Sequence, residues 1–319
     1  MNYASHTAYS DPGAHAARLD ALPSDLPGLT AAIRNLLIHY RGGGIEFTGD
    51  RYEEINHRWV EAMLTTDERR NGTSLLTPRE PFDRIVGCCR DYSLLTIAAL
   101  RQRGVPARSR IGFAGYFGRG FNYDHVVVEY WNGERWVMVD AQLEPDPARK
   151  FDSLDMAPGW FRSAAEVWLG YRSGALDGDE FGVDPALPLR GGWFIRNYVL
   201  LQLAHLRGDE LLLWDGWGAM SGELSGDLDL IDELAGLLVA FDNGDAAAGE
   251  VLAALYLADP ELRPGETVLQ LSPAGHPPVT VDLSRRVPVR SRRDSGDDNR
   301  AESEGDGEPG RRGWVLNVK

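Results

Sequence analysis

Three side chains of this sequence have the chemistry of a covalent acyl-transfer catalyst: Cys89, His125 and Asp140. A thiolate is a strong nucleophile, an imidazole can take up its proton and return it, and a carboxylate can orient that imidazole and select its tautomer. A second thiol, Cys88, directly precedes the first. Buried cysteines also occur as small hydrophobic residues, so packing of both thiols in the core is the alternative interpretation.

A predicted β-hairpin around Asn132-Gly133 positions the histidine and the acid. Asn-Gly between strand-like segments is the strongest short-range hairpin signal. With these two residues as the turn, Trp131 pairs with Glu134 and, further along the strands, His125 faces Asp140. Facing residues have Cβ atoms roughly 4.5–5.5 Å apart, which lets a carboxylate hold an imidazole. The pattern therefore predicts a pair formed by the histidine and the acid.

The nucleophilic thiol is predicted to lie at the start of a helix. Residues 87–93 open a helical segment over 94–103, which closes at Gly-Val-Pro. A helix N-terminus favours negative charge and would stabilise the thiolate of Cys89. The backbone N–H of Cys89 is the expected first donor of an oxyanion hole. The second donor stays open, and the candidates are Trp59, Trp193 and Gln142.

These motifs closely resemble the core of the transglutaminase-like superfamily, in a form typical of bacterial members. The resemblance covers roughly residues 80–145 and rests on two runs, GCCRDYSLLTIAALRQRGVPARSRIGF and DHVVVEYWNGERWVMVDAQ. It implies that Cys89 is the nucleophile, that His125 is the general base and acid, and that Asp140 orients the imidazole. Cys88 falls on a variable position of the family pattern. The implied fold is α+β and papain-like, with the nucleophile helix packed on an antiparallel sheet.

The resemblance implies a mechanism more clearly than a substrate, because one fold supports several reactions. We expect cysteine-dependent acyl transfer through a thioester. Among the possible reactions, hydrolysis of a peptide or small-molecule amide is favoured. Transfer of the acyl group to an amine, as in a transglutaminase or amide synthase, is the alternative. An arylamine N-acetyltransferase is disfavoured because its Arg-Gly-Gly-x-Cys motif is missing. A binding module that has lost turnover is the non-enzymatic alternative.

Residues next to the three catalytic candidates have less specific roles. Tyr123 and Asp124 precede the histidine and are expected to line the cleft and contact substrate. Arg90 and Asp91 are expected to be structural, since an acid in the first turn of a helix suits the macrodipole. We expect no cofactor and no metal, because adjacent cysteines lack the Cys-x2-Cys spacing of a zinc site.

Composition excludes some classes of partner and predicts a location. The chain has 319 residues and a net charge of −15, which disfavours nonspecific binding of nucleic acid. Its apolar runs are too short to cross a membrane. The first twenty residues contain no apolar signal-peptide core, and adjacent cysteines do not staple distant elements. We therefore expect a cytoplasmic protein, and its oligomeric state stays open.

Four regions are predicted along the chain: a helical region over 1–78, the catalytic core over 79–150, a helical annex over 151–283, and a disordered charged tail over 284–319. Apolar spacing predicts helices over 29–40 and 52–64 before the core. Ser163 and Glu166 have the spacing of a capping box. The other predicted helices of the annex cover 193–206, 211–217, 228–241 and 246–257.

Overall fold

A computed structural model describes residues 2–220 and 222–288. Its helices are α1 (Ala16–Asp20), α2 (Leu26–Leu36), α3 (Asp50–Glu53), α4 (Val60–Asn71), α5 (Cys89–Arg101), α6 (Ala164–Arg172), α7 (Gly192–Leu206), α8 (Leu228–Asp242) and α9 (Ala246–Ala258). Its strands are β1 (Leu37–His39), β2 (Ile85–Gly87), β3 (Ala107–Ala114), β4 (Asn122–Trp131), β5 (Trp136–Val139), β6 (Phe161–Ser163), β7 (Phe181–Gly182), β8 (Asp215–Gly216), β9 (Thr267–Gln270), β10 (Val279–Asp282) and β11 (Val287–Pro288).

The segment that carries the catalytic candidates folds as an α+β core. Strands β5, β4, β3 and β6 form an antiparallel sheet in that order, and β7 adds a parallel pairing to the start of β4. Helix α5 packs against β3 and β4, and α7 packs against β3. All eight residues of β3 are buried, since strands flank it on both sides and helices cover it. The predicted α+β fold, with a nucleophile helix on an antiparallel sheet, is confirmed.

The hairpin between β4 and β5 has a longer loop than we predicted from Asn-Gly. Trp131 pairs with Trp136, not with Glu134, so the loop contains the four residues 132–135. The side-chain oxygen of Asn132 accepts hydrogen bonds from the backbone N–H groups of Glu134 and Arg135 and closes this loop. The predicted register was therefore wrong by two residues. Because side chains alternate with a period of two, this shift leaves every residue on its predicted face.

The first predicted helix, over 29–40, was too long at its C-terminal end. Helix α2 ends at Leu36, and the next three residues form β1. This strand pairs in parallel with β2, and His39 lies opposite Gly87. A short apolar run is compatible with either a helix or a buried strand, and here the pairing with a distant segment decides.

The second predicted helix, over 52–64, is interrupted in the structure. Helix α3 and a turn of 3-10 helix precede an extended stretch, and α4 begins only at Val60. His57 and Trp59, which the periodicity placed inside one helix, instead lie in the break between the two helices. The carbonyl oxygens of His57 and Arg58 in this break accept hydrogen bonds from Arg90 of α5, which stabilises the extended conformation.

The annex after the core contains four of the predicted helices and a small sheet. Ser163 and Glu166 form the predicted capping box at the start of α6. The helices predicted over 193–206, 228–241 and 246–257 are confirmed as α7, α8 and α9. The helix predicted over 211–217 was wrong: Asp215 lies in β8, where its buried carboxylate pairs with Arg58. Strands β8 to β11 form an antiparallel sheet of four strands.

The predicted tail over 284–319 lies outside the described residues from 289 onward. Its first five residues, 284–288, are described, and they end in β11, which pairs with β10. In the described ranges, no helix is both long and apolar enough to cross a membrane.

Candidate active site

Cys89 is the first residue of α5, five residues earlier than the predicted helical segment began. The preceding residue, Cys88, caps the helix: its sulfur accepts the N–H of Asp91, and the Asp91 carboxylate accepts the N–H of Cys88 at 2.8 Å. Gly87 makes this capping possible, because a Cβ there would lie 2.7 Å from the carboxylate. The run Gly-Cys-Cys-Arg-Asp is therefore the local structure that aims the sulfur of Cys89.

Arg90 and Asp91 act as braces in the structure, as expected. The Arg90 guanidinium is 1% exposed and donates to the Asp91 carboxylate at 2.9 Å. It also donates to the carbonyl oxygens of His57, Arg58 and Glu210. This one side chain thus ties the start of α5 to the break before α4 and to the segment after α7.

His125 on β4 and Asp140 after β5 form a hydrogen-bonded pair. His125 Nε2 lies 2.8 Å from Asp140 Oδ2, and the two residues are 2% and 1% exposed. Continuing the observed register would place His125 opposite residue 142, so the pair is a diagonal contact rather than a facing one. Diagonal neighbours on one face remain within reach of long side chains. His125 and Asp140 therefore form a pair, although the strand register that predicted the pair was wrong.

Hydrogen bonding from the side chains of Cys88, His125 and His39 lowers the pKa of the Cys89 thiol. These contacts hold the pKa of the Cys89 thiol well below its usual range, although burial opposes them. The opposite holds for the partner thiol, since donation to Cys89 together with burial raises the pKa of Cys88 well above its usual range. The negative charge of the pair therefore resides on Cys89.

The imidazole of His125 is stabilised in its charged form. Burial lowers the pKa of His125, but the Asp140 carboxylate and the Cys89 sulfur outweigh burial and raise the pKa to about 10. Because Nε2 faces the carboxylate, Nδ1 is the nitrogen directed at the sulfur. Both pKa shifts favour a thiolate–imidazolium pair, which is the activated form of a cysteine nucleophile.

Aromatic residues from the loop between β3 and β4 surround the imidazole. The Tyr116 hydroxyl donates to Asp140 Oδ2 at 2.7 Å. The ring of Phe117 meets His125 edge-on, with centroids 4.9 Å apart, and this residue is 41% exposed. We did not predict either residue from the sequence.

The predicted substrate-contacting residues lie at the start of β4. The carboxyl of Asp124 accepts a hydrogen bond from the Tyr198 hydroxyl of α7. Burial and the nearby Cys89 thiolate raise the pKa of Asp124 to about 7. The ring of Tyr123 is half-buried against Phe117 and Phe121. Both residues thus border the site, and their contact with substrate stays a prediction.

The three side chains considered as second oxyanion donors lie in different surroundings. The indole of Trp59 lines another cavity together with Tyr9 and Asp209, and the Arg286 guanidinium covers it at 5.6 Å. Trp193 packs edge-on against Phe194. Gln142 donates its backbone N–H to Asp140 Oδ1 at 3.0 Å.

His39 is one of the groups that lower the pKa of the Cys89 thiol, and it was missed by sequence reasoning. The helix predicted over 29–40 included this residue but did not place it near Cys89. In the structure, His39 is the last residue of β1 and lies beside the start of α5. The sequence signal that could have found it is the Arg41-Gly-Gly-Gly run, since several glycines in a row end a helix.

Comparisons with known proteins agree with the resemblance. Residues 51–141 match the family model described as the transglutaminase-like superfamily, and this range contains all three catalytic candidates. The predicted family is thereby confirmed for this segment. No curated protein matches the chain.

A crystal structure of a candidate cysteine protease from Cytophaga hutchinsonii is similar to part of the chain. The two share 17% sequence identity with a TM-score of 0.29, over 44% of this chain and 40% of that one. The matched part of this chain spans less than half of the other protein. A likeness this weak says nothing about the site.

Proposed function

Because residues 51–141 match the transglutaminase-like superfamily, we propose that the chain is a cysteine-dependent acyl-transfer enzyme. The reaction we favour is hydrolysis of a peptide or small-molecule amide. The observation that supports this proposal is the buried array in which Asp140 holds His125 and His125 lowers the pKa of the Cys89 thiol. Nucleophile, base and orienting acid in hydrogen-bonded sequence are the requirement for covalent catalysis.

In the first step, the thiolate of Cys89 attacks the carbonyl carbon of the amide, and the carbonyl π electrons move to oxygen. The tetrahedral intermediate then expels the amine, which takes the Nδ1 proton of the His125 imidazolium. A thioester on Cys89 and a neutral imidazole remain. Asp140 stays ionised throughout and keeps Nε2 as the nitrogen that faces it.

In the second step, His125 Nδ1 accepts a proton from water while the water oxygen attacks the thioester carbon. Collapse of the new intermediate releases the carboxylic acid and restores the Cys89 thiolate beside the imidazolium. The sum is one amide and one water converted to one acid and one amine, with both catalytic side chains returned to their starting states.

An amine acceptor is the second candidate reaction, and the burial of the site supports it. Cys89 is 5% exposed and His125 is 2% exposed, and a site that excludes bulk water protects a thioester from hydrolysis. In that case, the same imidazole removes the proton from an amine nitrogen, and the product is a new amide.

The first test is chemical reactivity at each cysteine. We expect iodoacetamide to label Cys89 well below the pH at which an ordinary thiol ionises, about 8.5, as followed by peptide mass spectrometry. His125→Ala should move this labelling toward the ordinary range. Labelling of Cys89 that rises only near the pKa of an ordinary thiol, and that is unaffected by loss of His125, would favour the inert binding module.

The second test asks whether a thioester forms and what resolves it. p-Nitrophenyl acetate should acetylate Cys89 and release p-nitrophenolate, with the modified residue identified by peptide mass spectrometry. Adding benzylamine then measures the partition of the acetyl group between acetate and N-benzylacetamide. Acetate as the main product supports the hydrolase, whereas the amide as the main product supports transfer to an amine.

A further inference from the structure

The oxyanion hole of this site is incomplete with one backbone donor, and the structure contains a side chain suited to complete it. The N–H of Cys89 belongs to the first turn of α5, whose N–H groups have no intrahelical partner. Acyl transfer places a negative oxygen on the carbon that the sulfur attacks, and two or more donors commonly stabilise it.

His39 reaches this position from a different part of the chain. Strand β1 runs parallel to β2, and His39 lies opposite Gly87, two residues before the nucleophile. The pairing continues as the N–H of Tyr40 donates to the Gly87 carbonyl at 3.0 Å. The His39 side chain is also one of the groups that lower the pKa of the Cys89 thiol, so strand pairing and electrostatics both place the imidazole near the reacting atom.

The hydrogen bonds of His39 determine its tautomer. Nδ1 accepts the backbone N–H groups of Arg41 and Gly42, each at 3.2 Å. Because both groups are donors, Nδ1 must carry a lone pair, and the ring proton therefore lies on Nε2. The ring is also stacked on Tyr40, with centroids 5.1 Å apart. The ring of His39 is thus held in place, and its free nitrogen, Nε2, is a donor.

The two imidazoles at the thiol have different hydrogen-bond partners. Nε2 of His125 is bound to a carboxylate, which stabilises the charged ring that transfers the proton. Nδ1 of His39 accepts two backbone N–H groups instead.

We propose that Nε2–H of His39 is the second donor of the oxyanion hole, acting together with the backbone N–H of Cys89. This inference rests on the proposed acyl-transfer function. In the free enzyme, the N–H donates to the thiolate. As the sulfur–carbon bond forms, the negative charge passes from sulfur to the carbonyl oxygen on the same carbon, and the N–H donates to that oxygen. No proton leaves His39 in this step.

The test compares two reagents that differ in their need for an oxyanion. Iodoacetamide alkylates sulfur by displacement at a saturated carbon, whereas p-nitrophenyl acetate reacts through a tetrahedral oxyanion. His39→Phe keeps a ring to stack on Tyr40 and removes both nitrogens, and His39→Gln supplies an amide N–H in place of Nε2–H. His276→Phe is the control, since His276 is exposed and pairs with Glu53. Each variant is measured at the pH plateau of its own alkylation rate.

We expect His39→Phe to lower the rate of acetylation about 100-fold while alkylation on the plateau is unchanged. His39→Gln should recover part of the acetylation rate, and His276→Phe should match the wild type with both reagents. If circular dichroism shows that His39→Phe is unfolded, His39→Ala is measured in its place.

An equal loss of rate with both reagents in His39→Phe would show that His39 acts only on the thiolate. A wild-type rate of acetylation in His39→Phe would show that His39 is dispensable. Either result would overturn the oxyanion assignment and leave the acyl-transfer function intact. A wild-type protein that is alkylated but never acetylated would instead overturn the proposed function, and the assignment with it.

Discussion

Tyr116 donates its hydroxyl to Oδ2 of Asp140 at 2.7 Å, and the same oxygen lies 2.8 Å from Nε2 of His125. One carboxylate oxygen therefore holds both the imidazole and a phenol from the loop between β3 and β4. The other oxygen, Oδ1, accepts the backbone N–H of Gln142. Burial and the adjacent carboxylate raise the pKa of Tyr116 well above its usual range, so the phenol keeps its proton and remains a donor.

Replacing Tyr116 with Phe should lower the free energy of unfolding by about 1.5–3 kcal/mol, the usual effect of losing a hydrogen bond to a charged group. Urea denaturation followed by circular dichroism measures this change. The contact between Cys89 and His125 stays in place in this variant, so iodoacetamide labelling of Cys89 should keep its low pH range. If labelling moves to the range of an ordinary thiol, the phenol is needed for the ion pair itself.

Replacing Asp140 with Asn should slow acetylation of Cys89 by about 10³–10⁴-fold, because the amide no longer stabilises the imidazolium or selects its tautomer. The rate is measured by p-nitrophenolate release. Asp155→Asn is a matched control, since Asp155 forms an exposed pair with Arg135. Comparable rates for the two variants would contradict the role of Asp140.

The two adjacent thiols should differ sharply on substitution. Cys89→Ala removes the nucleophile and should abolish acetylation, whereas Cys88→Ala removes a helix cap and a donor to the thiolate. We expect Cys88→Ala to keep most of the acetylation rate, with about 1 kcal/mol lost from the free energy of unfolding. The pH midpoint of Cys89 labelling should rise, because Cys88 no longer donates to the thiolate. Equal loss of turnover in the two variants would contradict the assignment of the nucleophile.

His205 on α7 should make the protein less stable in acid. Its Nδ1 lies 2.8 Å from the Ser109 hydroxyl, and its Nε2 lies 3.1 Å from the Leu211 carbonyl oxygen. Burial, together with the nearby Arg90 charge, lowers the pKa of His205 to about 3. The unfolded chain binds a proton at about pH 6.5, so the contribution of this group is present above that pH and is lost as the pH falls toward 3.

Urea denaturation at a series of pH values measures this effect. We expect His205→Gln to reduce the slope of the free energy of unfolding between about pH 6.5 and 3. The exposed His276 provides the comparison, and His276→Gln should leave that slope unchanged. An identical slope in wild type and His205→Gln would show that other groups account for the acid sensitivity.

Much of the core was predictable because its signals are local. The Gly-Cys-Cys-Arg-Asp run contains its own capping residues, and the capping box at Ser163 lies within four residues of chain. The pair of His125 and Asp140 could be predicted although its register was wrong, because an error of two residues preserves the face of a strand. The helices α7, α8 and α9 followed from apolar periodicity.

The failures occurred where distant segments decide local structure. Residues 37–39 become a strand because β2 lies beside them, and residues 211–217 leave the helical state as Asp215 pairs with the buried Arg58. Neither partner is adjacent in sequence, so periodicity over a short window does not contain the information.

The sequence by itself determined the nucleophile motif, the order of the thiol, imidazole and carboxylate, and the α+β class, since each depends on residue types at short spacing. Only the tertiary structure decided that Tyr116 shares the carboxylate of Asp140 and that His39 lies opposite Gly87, next to the start of α5. These contacts cross between strands and loops that are far apart in the chain. The energy that forms them comes from packing and strand pairing, which no local pattern specifies.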